Sequence, residues 1–340
     1  MQIHKIVLTG GPCSGKTKVI NALKEKLSKN GYNVIIVPET AAQLIGGNIL
    51  PNDKDYEHTL MFQDLVLRTQ KQKEDGALEY AEFIKKADDI IIIYDRAILD
   101  GMAYMHYESD FVGILNKYSL SEIGVADKYD MVIDMVSLSS LRKDLYVTDD
   151  IRKEDSSLAS ILDKKTLNAW LLSDNLRVVK PKETIEEKID YVYNLIKNYV
   201  DKKGLTIEKK IEIDIENSNL LVYNSNNSKK IDVIKYNTNI PGDYEYDCEV
   251  YERIYNSARS YIMKILNKND SSLISQTSID SDLLLEFLKN NYIKDISEYS
   301  QINFVDNDFN VFNIVSGKGY GYIKTYSDDY KIPNNIKVLK

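Results

Sequence analysis

The sequence predicts two domains. Residues 1–200 read as a doubly wound α/β domain with a parallel sheet, and residues 205–340 as a smaller α+β domain of antiparallel strands. A glycine-rich loop, Gly10–Thr17, joins an apolar segment to one with helical periodicity. From there to residue 200, short apolar runs alternate with helical ones, the pattern of a parallel sheet covered by helices. After Asp201-Lys202-Lys203-Gly204, which reads as a linker, the composition shifts to asparagine, serine and tyrosine with short strands.

The opening element is Ile3-His4-Lys5-Ile6-Val7-Leu8-Thr9, a buried strand by its apolar content. It runs into Gly10-Gly11-Pro12-Cys13-Ser14-Gly15-Lys16-Thr17, which fits the phosphate-binding template G-x-x-x-x-G-K-[ST]. Val19, Ile20, Leu23 and Leu27 then recur at helical spacing, giving the strand–loop–helix context the template requires. Glycines let the backbone wrap around phosphates, successive N–H groups form an anion nest, and the helix adds its positive end. Lys16 is expected to reach the β/γ-phosphates and to be exposed in an empty loop, while the Thr17 hydroxyl can ligate Mg²⁺. At Cys13 the bland explanation is the need for a small side chain.

Asn33–Val37 is the second strand, ending in Pro38-Glu39-Thr40. Glu39 stands where ligands bind at the carboxyl end of a parallel strand; it either meets substrate or metal, or caps the helix from Thr40. A long helical region after the loop at 46–55 presents Gln63, Arg68, Gln70 and Glu74, a pocket-building excursion or a solvated face. Asp89–Tyr94 is a third strand running into Asp95-Arg96. Asp95 is placed to hold Mg²⁺, and Arg96 to bind an acceptor or to form a structural ion pair. Tyr129–Val136 and Leu176–Val179 complete the strands. Between them, Leu138–Ile151 with Arg142, Lys143 and Arg152 reads as a basic lid or an ordinary loop, and Leu158–Leu172 as a helix. Thr184-Ile185-Glu186-Glu187 is a capping box that opens another helix.

Composition narrows the function. The chain has 340 residues, 43% of them hydrophobic, enough for two cores. Its net charge of −8 argues against a nucleic-acid partner. Cys13 and Cys248 are the only cysteines, which excludes a disulfide framework and a cysteine-built zinc site. The apolar stretch at 6–8 is too short for a signal peptide, and Ile90–Ile93 too short to span a membrane. A soluble, cytoplasmic protein without a transmembrane segment is expected.

In order, GGPCSGKT, VPET, DRAILDGMAY and the series Arg152-Lys153-Glu154, Leu162-Asp163, Ala169-Trp170 resemble one family. It is the AAA-type P-loop domain related to nucleoside and nucleotide kinases, which recurs in proteins named for a channel-translocation defect. The resemblance implies nucleotide binding, ATP or GTP, at Gly10–Thr17 and a metal role for Asp95. It implies Glu39 as base, by analogy with the related nucleoside kinases, and Arg152 as the lid arginine. It does not fix an acceptor.

In the second domain, Ile207–Ile215, Leu220–Tyr223, Ile231–Tyr236 and Tyr320–Tyr326 read as strands and Asn303–Ile314 as a hairpin. Ile254, Ala258, Tyr261, Ile262 and Ile265 suggest a helix, and Asp280–Leu288 another. In the same proteins a CYTH-like antiparallel barrel with a polyphosphate tunnel follows the P-loop domain, and Ile211–Glu216 is similar to its opening. Alternation puts Glu212, Asp214 and Glu216 on one strand face, where they could hold a metal. The lysine expected after them is absent, and cations such as Lys235 and Lys324 are sparse, so a degenerate, non-catalytic domain is expected. Asn267-Lys268-Asn269-Asp270 matches a guanine-reading motif but falls outside the nucleotide domain, after the expected helix, so the base preference stays open.

The leading expectation is Mg²⁺-dependent phosphoryl transfer to a small acceptor. The alternatives are a slow regulatory ATPase or GTPase, and a module that binds a phosphorylated ligand.

Overall fold

The computed structural model describes residues 2–52, 54–84, 89–141, 156–201, 209–219, 228–238, 246–269, 271, 273–290, 292–326 and 330–339. Arg142, Lys143, Arg152, Lys153, Glu154 and the strand expected at 220–223 lie outside them. Two compact units emerge. The first comprises residues 1–121, 131–170 and 175–200; the second comprises 122–130, 171–174 and 201–340.

The chain runs β1 (Ile3–Thr9), α1 (Lys16–Lys29), β2 (Asn33–Val37), α2 (Thr40–Gly46), α3 (Tyr56–Ile84) and β3 (Ile90–Asp95). A 3₁₀ turn at Ile98–Tyr104 leads to α4 (Glu108–Lys117), α5 (Glu122–Ala126, in the second unit) and β4 (Met131–Met135). Then come α6 (Leu138–Leu141), α7 (Ser156–Ala169), a 3₁₀ turn at Trp170–Leu172, β5 (Leu176–Val179) and α8 (Ile185–Val200). The five strands of the first unit pair in parallel in the order β2-β3-β1-β4-β5. With helices on the faces, β1 and β3 are nearly continuous apolar runs, and Ile90–Ile93 are wholly buried. Register sets the functional edge: Leu8 pairs with Asp95 on one side of β1 and Thr9 with Asp134 on the other.

The second unit continues with β6 (Lys209–Asp214), β7 (Ser228–Thr238), β8 (Tyr246–Tyr255), β9 (Ala258–Asn267), β10 (Leu273–Ile279) and α9 (Ser281–Lys289). It ends with β11 (Ile293–Val305), β12 (Val311–Gly317), β13 (Tyr320–Thr325) and β14 (Lys337–Val338). These nine strands form one antiparallel sheet, ordered β10-β9-β8-β7-β11-β12-β13-β6-β14. Side chains from β7, β8, β9, β11, β12 and β13 line a single cavity of about 190 Å³, so the sheet curls around it. Its other face carries Phe304, Phe312, Ile314 and Ile323, and α9 seats Leu284 against Tyr236 and Val250.

The helix expected across residues 254–265 is instead the β8–β9 hairpin. Tyr255 pairs with Ala258 across the two-residue turn Asn256-Ser257, both at positive φ (48° and 66°), the backbone of a type I′ turn. Most side chains of β9 are half-buried on both faces, which blurs the period of two into something that mimics a helix. Asn267-Lys268-Asn269 therefore starts on the last residue of a strand, not after a helix, and lies in the second unit.

Candidate functional site

The loop after β1 takes its shape from its glycines. Gly10 has φ +128°, and a Cβ there would lie 2.1 Å from the Met135 carbonyl oxygen. Gly15, at φ +85°, is the residue before α1, and the Val19 amide bonds its carbonyl at 3.1 Å.

Lys16 departs from expectation. It is only 3% exposed, and its ammonium donates to the carbonyls of Gly10 (2.8 Å) and Gly11 (3.0 Å) and to the Ser14 hydroxyl (3.0 Å). Three acceptors match the three N–H donors, so the resting loop folds the charge inward instead of leaving it in solvent. Thr17, by contrast, is exposed at the start of α1.

Three residues for which the sequence suggested no role at the site brace this loop, Asp163 having appeared only in the family series. Asp163 on α7 accepts the Gly11 amide at 2.7 Å, the Ser137 amide at 3.1 and 3.2 Å through its two oxygens, and the Ser140 hydroxyl at 2.7 Å. The Ser137 hydroxyl donates to the Pro12 carbonyl. Lys188 on α8 donates to the Ser14 carbonyl at 2.9 Å. Burial lowers the Lys188 pKa to about 8, against the pull of Asp134 and Asp163. Asp134 is fully buried at the end of β4, and among the described residues neither carboxylate oxygen has a hydrogen-bond partner. Burial first, then the Asp163 and Asp100 charges, hold its pKa well above the usual carboxylate range. An aspartate in the apolar run Met131-Val132-Ile133-Asp134-Met135 was the available signal.

Past β2 and β3, Glu39 and Arg96 come together. Arg96 Nε donates to Glu39 Oε1 at 3.0 Å, and its Nη1 donates to Asp100 Oδ1 at 3.1 Å. Arg96 is buried with φ +63°, and Asp100 is held in turn by the Thr9 hydroxyl, the Ala97 amide at 2.9 Å and Trp170 Nε1 at 3.3 Å. Glu39 occupies the position before α2, but its side chain makes no capping bond. Asp95 has a buried Oδ1 without a hydrogen-bond partner among the described residues, and burial and then Glu39 raise its pKa.

A cavity of about 190 Å³ opens between α2, α3 and the 3₁₀ turn, lined by Pro12 of the loop, by Glu39, Arg96 and Asp100, and by apolar side chains. Of the polar residues on α3, Gln63, Gln70 and Glu74 turn inward, while Arg68 is exposed. Gln70 accepts from the Thr40 hydroxyl and donates to Glu74 at 2.8 Å and to the Arg96 carbonyl at 3.3 Å.

In the second unit, Glu212 and Asp214 share a face of β6, but Glu216 lies beyond the strand in a turn. Asp214 bonds the Asn217 amide at 3.2 Å and Asn217 Nδ2 at 2.7 Å, and Glu212 is exposed. The expected three-carboxylate metal face does not form, because the chain turns at Ile215–Asn217 before the third acid. Among the described residues no set of three acidic, histidine or cysteine side chains gathers to hold a metal. The curled sheet's cavity carries Arg253, Lys264 and Lys324 among four tyrosines. Lys264 pairs with Asp174 at 2.8 Å; Arg253 pairs with buried Asp127 and donates to the Leu172 carbonyl at 2.7 Å. Lys264 holds the Asp174 pKa far below the usual range, whereas burial outweighs Arg253 and raises that of Asp127 to about 6.

A strand–glycine loop–helix at the centre of a parallel sheet, with buried acids ending the neighbouring strands, defines a nucleotide-binding α/β domain of the P-loop class. The family model described as an AAA domain matches residues 5–188, more than half of the chain, and the chain belongs to that family. No curated protein matches the sequence significantly. Among solved structures, the hypothetical protein NE1496 is similar at 14% identity, covering 39% of this chain and 86% of that chain, with TM-score 0.26. The inorganic triphosphatase NE1496 is similar at 11% identity, over 39% and 86%, with TM-score 0.27. The PH1819 protein from Pyrococcus horikoshii OT3 is similar at 11% identity, over 36% and 80%, with TM-score 0.26. Likeness at this level carries no argument for fold or activity. Among the described residues no helix is long and apolar enough to cross a membrane.

Proposed function

We propose that the chain transfers the γ-phosphoryl group of ATP or GTP to a hydroxyl group of a small acceptor, with Mg²⁺ as the metal. The observation that carries this is a single cavity lined both by Pro12 of the glycine-rich loop and by Glu39, so that an acceptor held there lies between the phosphates and a carboxylate. The loop amides and Lys16 hold phosphates, Glu39 takes the acceptor proton, Arg96 positions Glu39, and Arg152 meets the developing charge. The Thr17 hydroxyl and Asp95 would hold Mg²⁺. Both offer hard oxygen donors, and the unpartnered Asp95 Oδ1 suits a cation that usually takes one or two protein carboxylates beside phosphate oxygens. When bound, the ion supplies positive charge to the β- and γ-oxygens.

One observation favours a second reading, a slow regulatory nucleotidase that signals through the second unit. Lys16 is folded onto its own loop, so binding phosphate requires a rearrangement that could serve as a switch. The test is Glu39→Gln, assayed for triphosphate binding and for phosphate transfer with and without candidate acceptors. Loss of transfer with binding retained supports the kinase reading. If transfer survives, Glu39 is not the base; if no acceptor stimulates turnover in wild type, the regulatory reading stands.

A further inference from the structure

The cavity of the second unit is built around one carboxylate. Among the described residues that line it are three cations, Arg253 on β8, Lys264 on β9 and Lys324 on β13, and a single acid, Asp174. Lys264 Nζ donates to Asp174 Oδ2 at 2.8 Å. Arg253 directs one end of its guanidinium to buried Asp127 and the other to the Leu172 carbonyl. All three cations nevertheless act on the same acid: Lys264 first, then Arg253 and Lys324, hold the Asp174 carboxyl far below its usual range against the effect of burial. Cations converging on one carboxylate from three strands of a curled sheet have the arrangement of an oxyanion site with its occupant in place.

Asp174 belongs to no strand of that sheet. It ends the segment 171–174, whose main chain is anchored at two points. The Leu171 carbonyl accepts from Asn303 Nδ2 at 2.5 Å, and the Leu172 carbonyl accepts from Arg253 Nη2 at 2.7 Å. Asn303 is itself fixed, because its Oδ1 accepts from Gln301 at 2.8 Å and from Asn313 at 2.6 Å. Leu171, Leu172 and Ser173 are buried, whereas the Asp174 side chain is 33% exposed. The backbone is therefore held while the carboxylate stays in reach of solvent. Rotation about its own side-chain bond withdraws it from Lys264 without breaking either anchor. A carboxylate held this way competes as a tethered ligand, at an effective concentration on the order of millimolar or more.

We propose that the second unit's cavity is an oxyanion site that the chain keeps filled with its own carboxylate, an autoinhibitory contact that a free oxyanion overcomes only by displacing Asp174 from Lys264. A singly charged ion gains no more from the cations than Asp174 does, and Asp174 has the advantage of its tether. Only an ion of higher charge competes, so the contact sets a threshold of charge for entry. The inference is independent of the reaction proposed for the first unit.

The test uses the full chain carrying Lys16→Ala, which disables the glycine-rich loop, with inorganic triphosphate as the probe and calorimetry as the readout. Adding Asp174→Asn keeps the shape of the side chain and removes its charge. This variant is expected to bind triphosphate about 10- to 100-fold more tightly than its parent, the range expected when a tethered competitor is removed. Lys264→Met placed on top of Asp174→Asn should abolish the gain. Asp282→Asn makes the same change of charge at an exposed position on α9 that does not line the cavity, and should leave the affinity of the parent unchanged. A second arm needs no stable variant: Asp174→Ala is refolded from urea in sodium formate or in sodium chloride at equal ionic strength. Formate replaces the missing carboxylate, so it should raise the recovery or the unfolding temperature of Asp174→Ala and leave the parent unaffected. Equal triphosphate affinity in the parent and Asp174→Asn overturns the proposal. So does a gain that survives Lys264→Met or appears in Asp282→Asn, or an Asp174→Ala chain that behaves alike in formate and chloride.

Discussion

Asp163 Oδ1 accepts the Gly11 amide at 2.7 Å, so a carboxylate on α7 fixes one of the loop amides next to Lys16. The same side chain holds the Ser137 amide and the Ser140 hydroxyl, and thus ties three segments to one point. Asp163→Ala is expected to weaken triphosphate binding about 10-fold and to cost about 1–3 kcal/mol of stability through the buried donors it leaves unmade. Calorimetric titration and urea denaturation measure the two effects; unchanged values for both would show that the loop holds its shape without this brace.

Lys16→Ala is expected to weaken ATP and GTP binding strongly. Because the ammonium is buried against the Gly10 and Gly11 carbonyls, the change should also cost about 1–3 kcal/mol in the nucleotide-free protein. An unchanged dissociation constant for both nucleotides would remove Lys16 from the site.

Lys188 gives a pH dependence whose sign can be worked out. Its folded pKa is lowered to about 8 from the ordinary 10.5, so between these values the unfolded chain binds the extra proton. Its contribution to stability is therefore present above the ordinary lysine value and is lost as pH falls through about 8. The stability of wild type relative to Lys188→Met should rise as pH is raised from below about 8 toward 10.5. A pH-independent difference between the two denaturation curves would contradict the assignment.

Arg152→Ala, at a position outside the described residues, is expected to lower turnover about 10³-fold with little change in triphosphate affinity, as removal of a group that meets charge in the transition state does. Equal turnover in variant and wild type would pass the role to Arg142.

The second unit is expected not to hydrolyse inorganic triphosphate with Mg²⁺ or Mn²⁺. Its cations Lys264 and Arg253 are already matched by the chain's own Asp174 and Asp127. The assay uses the full chain carrying Lys16→Ala, which silences the first site. Turnover above about 1 s⁻¹, in the ordinary enzyme range, would show a second active centre.

Much of the first unit was legible in the sequence because burial leaves a local mark. Ile90–Ile93 cannot be mistaken for an exposed run, and Thr184 caps α8 through the Glu187 amide at 3.1 Å, as its spacing suggested. Glu39 and Arg96 were visible as individual candidates, but their mutual ion pair joins residues 57 apart and leaves no period to read. Lys188 escaped, and Asp163, visible only as part of the family series, was given no role, for the same reason: each acts on a loop more than a hundred residues away. In the second unit the reading failed where both strand faces are half-covered, at β9, and where a turn interrupts alternation, at Glu216.

The second unit includes residues 122–130 and 171–174, which the ribosome makes long before the strands they serve. Asp127 and Arg253, 126 positions apart, close a very large chain loop. Closing such loops precedes any reward from the contacts they bring, so this antiparallel unit should fold late and more slowly than its size alone would imply. Asp127 and Asp174 must wait for β8 and β9, and during synthesis the order of events runs from the first unit's sheet toward the final clasp of Arg253.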